Sequence, residues 1–190
     1  MAEAPASPRS RPTDESGPQR RRRWALFLGP AGVVVLLDQL TKWWVDSSFG
    51  VASRAIPAGE PGGPTELLGG LLRIAKTYND GAIFGLFDAI APIMAVLTLL
   101  VIAGITWYEW RHGATTGGLV TIGLGLLLGG ALGNLIDRIR IGHVIDFVDM
   151  GIGTWRFYTY NVADAAISTS IVLLIAMAVF PRLGDWAPGD

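Results

Sequence analysis

Two aspartates occupy apolar surroundings in this chain. Asp146 lies between Ile145 and Phe147, and Asp164 opens the apolar run that begins at Ala165. A carboxylate flanked by apolar side chains is a candidate for a raised pKa, because burial disfavours its charged form. Two such groups brought together can share one proton, one acting as base toward water and the other as acid. Asp164 also has a plainer account. In Asn161-Val162-Ala163-Asp164 the asparagine can cap a helix that holds the aspartate at its third position, a relative of the capping box. The sequence leaves both accounts open.

Other catalytic chemistries find few residues. The absence of cysteine removes thiol nucleophiles, thiolate metal sites and disulfides together. The two histidines, His112 and His143, belong to different segments, so no Ser–His arrangement competes and a metal would lack ligands. No cofactor or metal is implied. A net charge of −1 leaves no basic surface to hold nucleic acid.

Three more polar clusters interrupt the apolar background. Asp38 and Lys42 are one helical turn apart and share a face, where they can pair. An ion pair makes both charges tolerable near a membrane interface, and a functional role stays open because ionisable groups at that depth are costly. Asn134 and Arg138 repeat the spacing, with Arg138 able to snorkel to the interface beside Asp137. Asn79-Asp80-Gly81 reads as a turn.

The elements that must position these groups are membrane spans. Hydrophobic residues make up 51% of the chain and charged residues 16%, well below the roughly one quarter of a soluble domain. Apolar stretches at 24–45, 89–108, 113–136 and 165–181 each match the roughly 17–25 residues of a spanning helix. In the third, Gly125, Gly129 and Gly133 mark a face where another helix can approach closely. The first lacks a small-residue cleavage site, so it reads as a retained span.

Residues 1–23 form a Pro-, Ser- and Arg-rich tail without apolar periodicity, read as disordered. Arg20 to Arg23 abut the first span and place both termini, including the tail 182–190, in the cytoplasm. Residues 46–88 and 137–163 then face outward. The alternation from Leu71 to Tyr78 suggests a short strand with Leu72, Ile74 and Lys76 on one side. The expected fold class is an all-α membrane protein with a small β element and four transmembrane helices. A proton-coupled transporter would put its carboxylates near the midplane on repeated or broken helices, and a scaffold would leave the outward acids unexplained.

The segments DQLTK (38–42), NDGAIFG (79–85), GNLIDR (133–138), GHVIDF (142–147) and YNVADAAI (160–167) together resemble the ordered motifs of the lipoprotein signal peptidase family, also called signal peptidase II. The resemblance spans residues 24–181. It implies a four-helix peptidase domain carrying an extracytoplasmic β-cradle, expected within 46–85. The implied enzyme is an aspartic endopeptidase of the bacterial cytoplasmic membrane, expected as a monomer. It removes signal peptides from prolipoproteins just before their diacylglyceryl-modified cysteine, with membrane lipid around the substrate.

By position, Asp146 and Asp164 match the catalytic pair of that family. Asn134, Arg138 and Asn161 match the polar residues beside it, Asp38 and Lys42 the first-helix pair, and Asn79 the cradle asparagine. Tyr160 and Ile83 depart from the family's commoner phenylalanine and smaller residue. Asp80, Asp137 and Asp149 match no catalytic position, and replacing each by asparagine is expected to cost less than replacing Asp146 or Asp164.

Overall fold

A computed structural model describes residues 17–80 and 90–183. The expectations for residues 1–16, for Gly81 to Gly85 including Ile83, and for 184–190 lie outside the described residues. The element order is α1 (Gly17–Ser48), β1 (Thr65–Glu66), β2 (Leu72–Asn79), α2 (Ile90–His112), α3 (Gly118–Ile141), β3 (Val144–Ile152), β4 (Trp155–Arg156) and α4 (Val162–Val179). All four helices are long and apolar enough to cross a membrane. Large apolar side chains such as Leu36, Leu100, Val172 and Ile175 are exposed on their outer faces, where lipid rather than water is the solvent.

Helix α1 begins at Gly17, ahead of the basic run rather than after it, so Arg20 to Arg23 are helical instead of belonging to the tail. Arginine is a good helix former, and extending an existing helix avoids the cost of a new nucleus. The buried residues of α1 are Phe27, Ala31, Val34, Asp38, Lys42 and Val45. Their spacing of three and four traces one face of a 3.6-residue helix. Asp38 and Lys42 therefore point into the bundle, on the same stripe as the apolar residues.

Helix α3 is the axis of the bundle, and its glycines do the work the sequence suggests. A Cβ at Gly129 would fall 2.7 Å from the Ala31 carbonyl oxygen, and one at Gly133 only 2.6 Å from Asp38 Oδ2. The bare backbone of α3 thus lets α1 approach closely enough to bring Asp38 against it. The helix starts later than expected because Gly113–Thr115 forms a separate 3₁₀ turn. It ends later, at Gly142, whose φ of 81° closes it in the left-handed conformation that glycine adopts freely. The extra turns carry Asp137 and Arg138.

The small sheet draws on both segments 46–88 and 137–163, with antiparallel order β1-β2-β3-β4. It is not confined to residues 46–85, because β3 and β4 come from the second segment and bring Asp146 onto the sheet. In β2, Ile74, Ala75 and Lys76 are all buried, which breaks the expected alternation. The cause is a register shift: Ile74 pairs with Val148, but Thr77 pairs with Asp146. One extra residue on β2 turns the rest of the strand over. Asn79, two positions beyond Thr77, consequently shares a face with Asp146.

Two contacts fix the sheet to the bundle. Val45, Ile74, Ile145 and Phe147 form a buried cluster joining the end of α1 to β2 and β3. Lys76 Nζ donates to the carbonyls of Asp46 and Phe49, each at 3.1 Å, and pairs with Asp46 Oδ1 at 2.7 Å. A cation is favourable there, at the negative end of the α1 dipole.

Candidate active site

The site begins at the first turn of α4. Asn161 Oδ1 accepts the Asp164 amide at 2.9 Å, and Asp164 Oδ2 accepts the Asn161 amide at 3.2 Å, a reciprocal capping box. The plainer account of Asp164 is therefore correct as local structure. It is also incomplete. With its oxygen committed to the cap, Asn161 turns its Nδ2 toward Asp146 Oδ1, 2.7 Å away, and Asn134 Oδ1, 3.1 Å away. Asn161 thus donates to both carboxylates, to Asp146 from its side-chain amide and to Asp164 from its backbone N–H.

Asn134, on α3, completes the arrangement by donating Nδ2 to Asp164 Oδ1 at 2.7 Å. Its orientation is set by Lys42, whose ammonium lies 3.1 Å from Asn134 Oδ1. An ammonium can only donate, so the amide oxygen must face Lys42 and the amide nitrogen must face Asp164. Asn79 donates Nδ2 to Asp146 Oδ2 at 2.9 Å from the shared strand face. Each oxygen of the two aspartates thus has a named donor.

Below this layer lies a buried ion cluster. Lys42 pairs with Asp38 Oδ2 and with Asp137 Oδ2, both at 2.8 Å. Asp38 Oδ1 accepts the amide of Ala163 at 2.9 Å and so caps α4 from another helix. Asp137 accepts the Ile145 amide at 3.2 Å and Gln39 Nε2 at 3.0 Å, which anchors the strand residue preceding Asp146. The predicted Asp38–Lys42 pair exists, but Asp137 is its equal partner. Loss of Asp137 was expected to cost less than loss of Asp146 or Asp164. Its signal in the sequence was a carboxylate one turn before a glycine that ends the helix, which local spacing cannot distinguish from a surface charge.

Arg138 is half-buried and donates Nη1 to the Asn134 carbonyl at 3.2 Å. Its charge acts on Asp164, Asp146 and Asp137, so it contributes to the field of the site instead of only reaching the interface. His143, the nearer of the two histidines in sequence, packs its ring 4.2 Å from that of Tyr78. Asp80 is exposed. Asp149, whose loss was likewise expected to cost less, is buried and accepts Arg54 at 3.2 Å and Arg156 at 3.1 Å, tying β3 to the preceding loop and to β4.

Asp146 is only 3% exposed, although it titrates next to an open groove. Burial pushes its pKa up to about 6, hydrogen bonding from Asn79 opposes the rise, and the nearby Asp164 charge adds to it. The groove, of about 1040 Å³, has Asp146, Asp164 and Asn79 on its wall. Leu71, Met150, Trp155 and Tyr158 give it an apolar and aromatic lining. It suits an extended, largely apolar ligand delivered to two carboxylates.

The family model described as signal peptidase (SPase) II matches residues 31–180. The chain belongs to the signal peptidase II family. It is 37% identical over 155 residues to the lipoprotein signal peptidase of Syntrophus aciditrophicus, covering 79% of this chain and 89% of that protein. It is 36% identical over 161 residues to that of Rhizorhabdus wittichii, covering 83% and 87%. A bacterial membrane enzyme solved by the in meso method at 1.9 Å superposes with a TM-score of 0.67 at 25% identity, covering 78% of this chain and 89% of that one. Another, solved at 2.3 Å, gives 0.66 at 23%, covering 85% and 91%, and shows the shared fold. As a member of the signal peptidase II family, the chain is a multi-pass membrane protease, and it shares its fold with those solved membrane enzymes.

Proposed function

We propose that this chain is an aspartic endopeptidase that releases signal peptides from lipid-modified prolipoproteins, cutting just before the diacylglyceryl cysteine. The carrying observation is Asn161, which donates its side-chain Nδ2 to Asp146 and its backbone N–H to Asp164 while both carboxylates line one apolar groove. Asp146, its pKa raised by burial, holds the proton that the pair shares. Asp164 takes a proton from water as the water oxygen bonds to the peptide carbonyl carbon, and Asp146 gives its proton to the carbonyl oxygen. Collapse of the resulting diol expels the cysteine amine. Asp164 returns the proton to that nitrogen, and Asp146 recovers its own from the hydroxyl that becomes the new carboxyl group. Asn134 and Asn79 hold the two carboxylates in place, Arg138 offsets their charge, and Lys42, held by Asp38 beneath, orients Asn134.

The orientation we infer puts both termini in the cytoplasm and the groove outside. Arg20 to Arg23 at the start of α1 support it, and Arg23 pairs with Glu109 of α2 at 3.6 Å at the same end. Prolipoprotein acyl chains would then stay in the outer leaflet while the peptide enters the groove.

The test is direct. Purified protein incubated with a diacylglyceryl-modified precursor should yield a mature chain beginning at the lipidated cysteine. Equal cleavage of the unmodified precursor would remove the lipid from the proposal. Cleavage at another bond would remove the site.

A further inference from the structure

The tip between β3 and β4 has a surface that the bundle does not cover. Ile152 is 78% exposed and Trp155 is 87% exposed, with Phe157 and Tyr158 exposed behind them. The turn Ile152-Gly153-Thr154-Trp155 carries no charge. Arg156 beside it faces away from the tip, donating to Asp149 and to the Gly70 carbonyl, and Arg73, which lines a small pocket with Ile152 and Gly153, is paired with Glu66 at 3.0 Å. In water such a tip would be an unexplained apolar patch.

Its depth explains it. Ile152, Trp155 and Tyr158 share the walls of one groove with Ala165, Ser168 and Thr169 of α4. Helix α4 has 18 residues, so at about 1.5 Å per residue it is about 27 Å long, slightly short of a hydrocarbon core of about 30 Å. It has no turns to spare above the membrane. Thr169 lies about 10 Å along that axis from Val162. A hairpin that walls the same groove therefore hangs beside turns already at membrane level. The exposed strip of α4 continues downward from there through Val172, Ile175 and Val179. Tryptophan and tyrosine favour this boundary, with an apolar ring on one side and a polar edge on the other.

We propose that the β3–β4 hairpin dips into the leaflet at its end of the bundle, with Ile152 and Trp155 among phospholipid acyl chains. Lipid then meets the groove from the side, between the hairpin and the first two turns of α4. The inference rests on the span of α4 and not on the assignment of catalytic residues, so either can fail without the other.

The absence of native cysteine makes the test clean. Ile152→Cys and Trp155→Cys, each labelled with an environment-sensitive fluorophore, are compared in phosphatidylcholine–phosphatidylglycerol nanodiscs with labelled Glu60→Cys, an exposed loop position. Iodide serves as aqueous quencher and a lipid bearing a nitroxide high on its acyl chain as membrane quencher. Two tip positions are used so that a folding defect in one, read from its thermal midpoint, leaves the other. The expected result is iodide quenching several-fold weaker than at Glu60→Cys, with strong quenching by the nitroxide lipid. Iodide quenching equal to that at Glu60→Cys would overturn the proposal. Protection from both quenchers would also overturn it, by showing that protein, from this chain or a second copy, covers the tip.

Discussion

The ammonium of Lys42 lies 3.1 Å from Asn134 Oδ1, and that contact sets the direction in which Asn134 can donate to Asp164. A charge on the first helix thereby orients a carboxylate on the fourth, through an amide on the third. The same ammonium neutralises Asp38 and Asp137. Lys42→Met would leave two buried carboxylates facing each other without their cation. Breaking a buried pair costs about 3–5 kcal/mol, so a large fall in thermal midpoint in detergent is expected. A midpoint within a degree or two of the parent would show that the cluster does not carry this load.

Asp146→Asn and Asp164→Asn should each abolish cleavage while the protein stays folded. Loss of a positioned acid or base typically costs about 10²–10⁴-fold in rate. For Asp164 the capping box adds a second effect, since weakening a cap costs on the order of 1 kcal/mol. Turnover per folded molecule separates the two. A modest loss of stability with near-normal turnover in Asp164→Asn would return that residue to a purely structural role.

Asp80→Asn is the proper control, because Asp80 is exposed, and it should leave turnover and stability near the parent values. Asp137→Asn and Asp149→Asn are not controls. Each removes a buried carboxylate paired to a cation, at 2.8 Å and 3.1 Å respectively, and each should lower the thermal midpoint. Parental midpoints in both would show that neither ion pair supports the fold.

The pH dependence follows from Asp146, whose pKa rises to about 6 in the fold from an ordinary 3.8. The folded state therefore binds this proton more tightly than the unfolded chain does. Its contribution to stability is fully present below pH 4 and is lost as pH rises through about 6. Activity should follow a bell, with the alkaline limb of kcat/KM in the free enzyme near pH 6, where the pair loses its shared proton. Asn79→Leu removes a hydrogen bond that favours the charged form, so that limb should move upward. A limb unmoved by this change would sever Asn79 from Asp146.

Cleavage should survive EDTA and thiol reagents, since the proposed chemistry uses only two carboxylates and water. Loss in EDTA restored by added zinc would rule out that mechanism.

The sequence by itself determined the four spans, the glycine face of α3 and the motifs that name the family. These are local or periodic properties, and apolar length and helical spacing are written along the chain. It also marked Asp146, Asp164, Asn134 and Asn161 as residues to watch. What it could not contain was their mutual arrangement, because that depends on segments far apart in the chain. The register shift in β2 decides that Asn79 shares a face with Asp146, and no pattern within β2 announces it. The close approach at Gly133 decides that Asp38 caps α4 and that Lys42 meets Asp137 as well as its neighbour. The pairing of Asp137 and Asp149 was hidden for the same reason: an acid's worth depends on which cation it meets, and Lys42, Arg54 and Arg156 are brought to them by the fold.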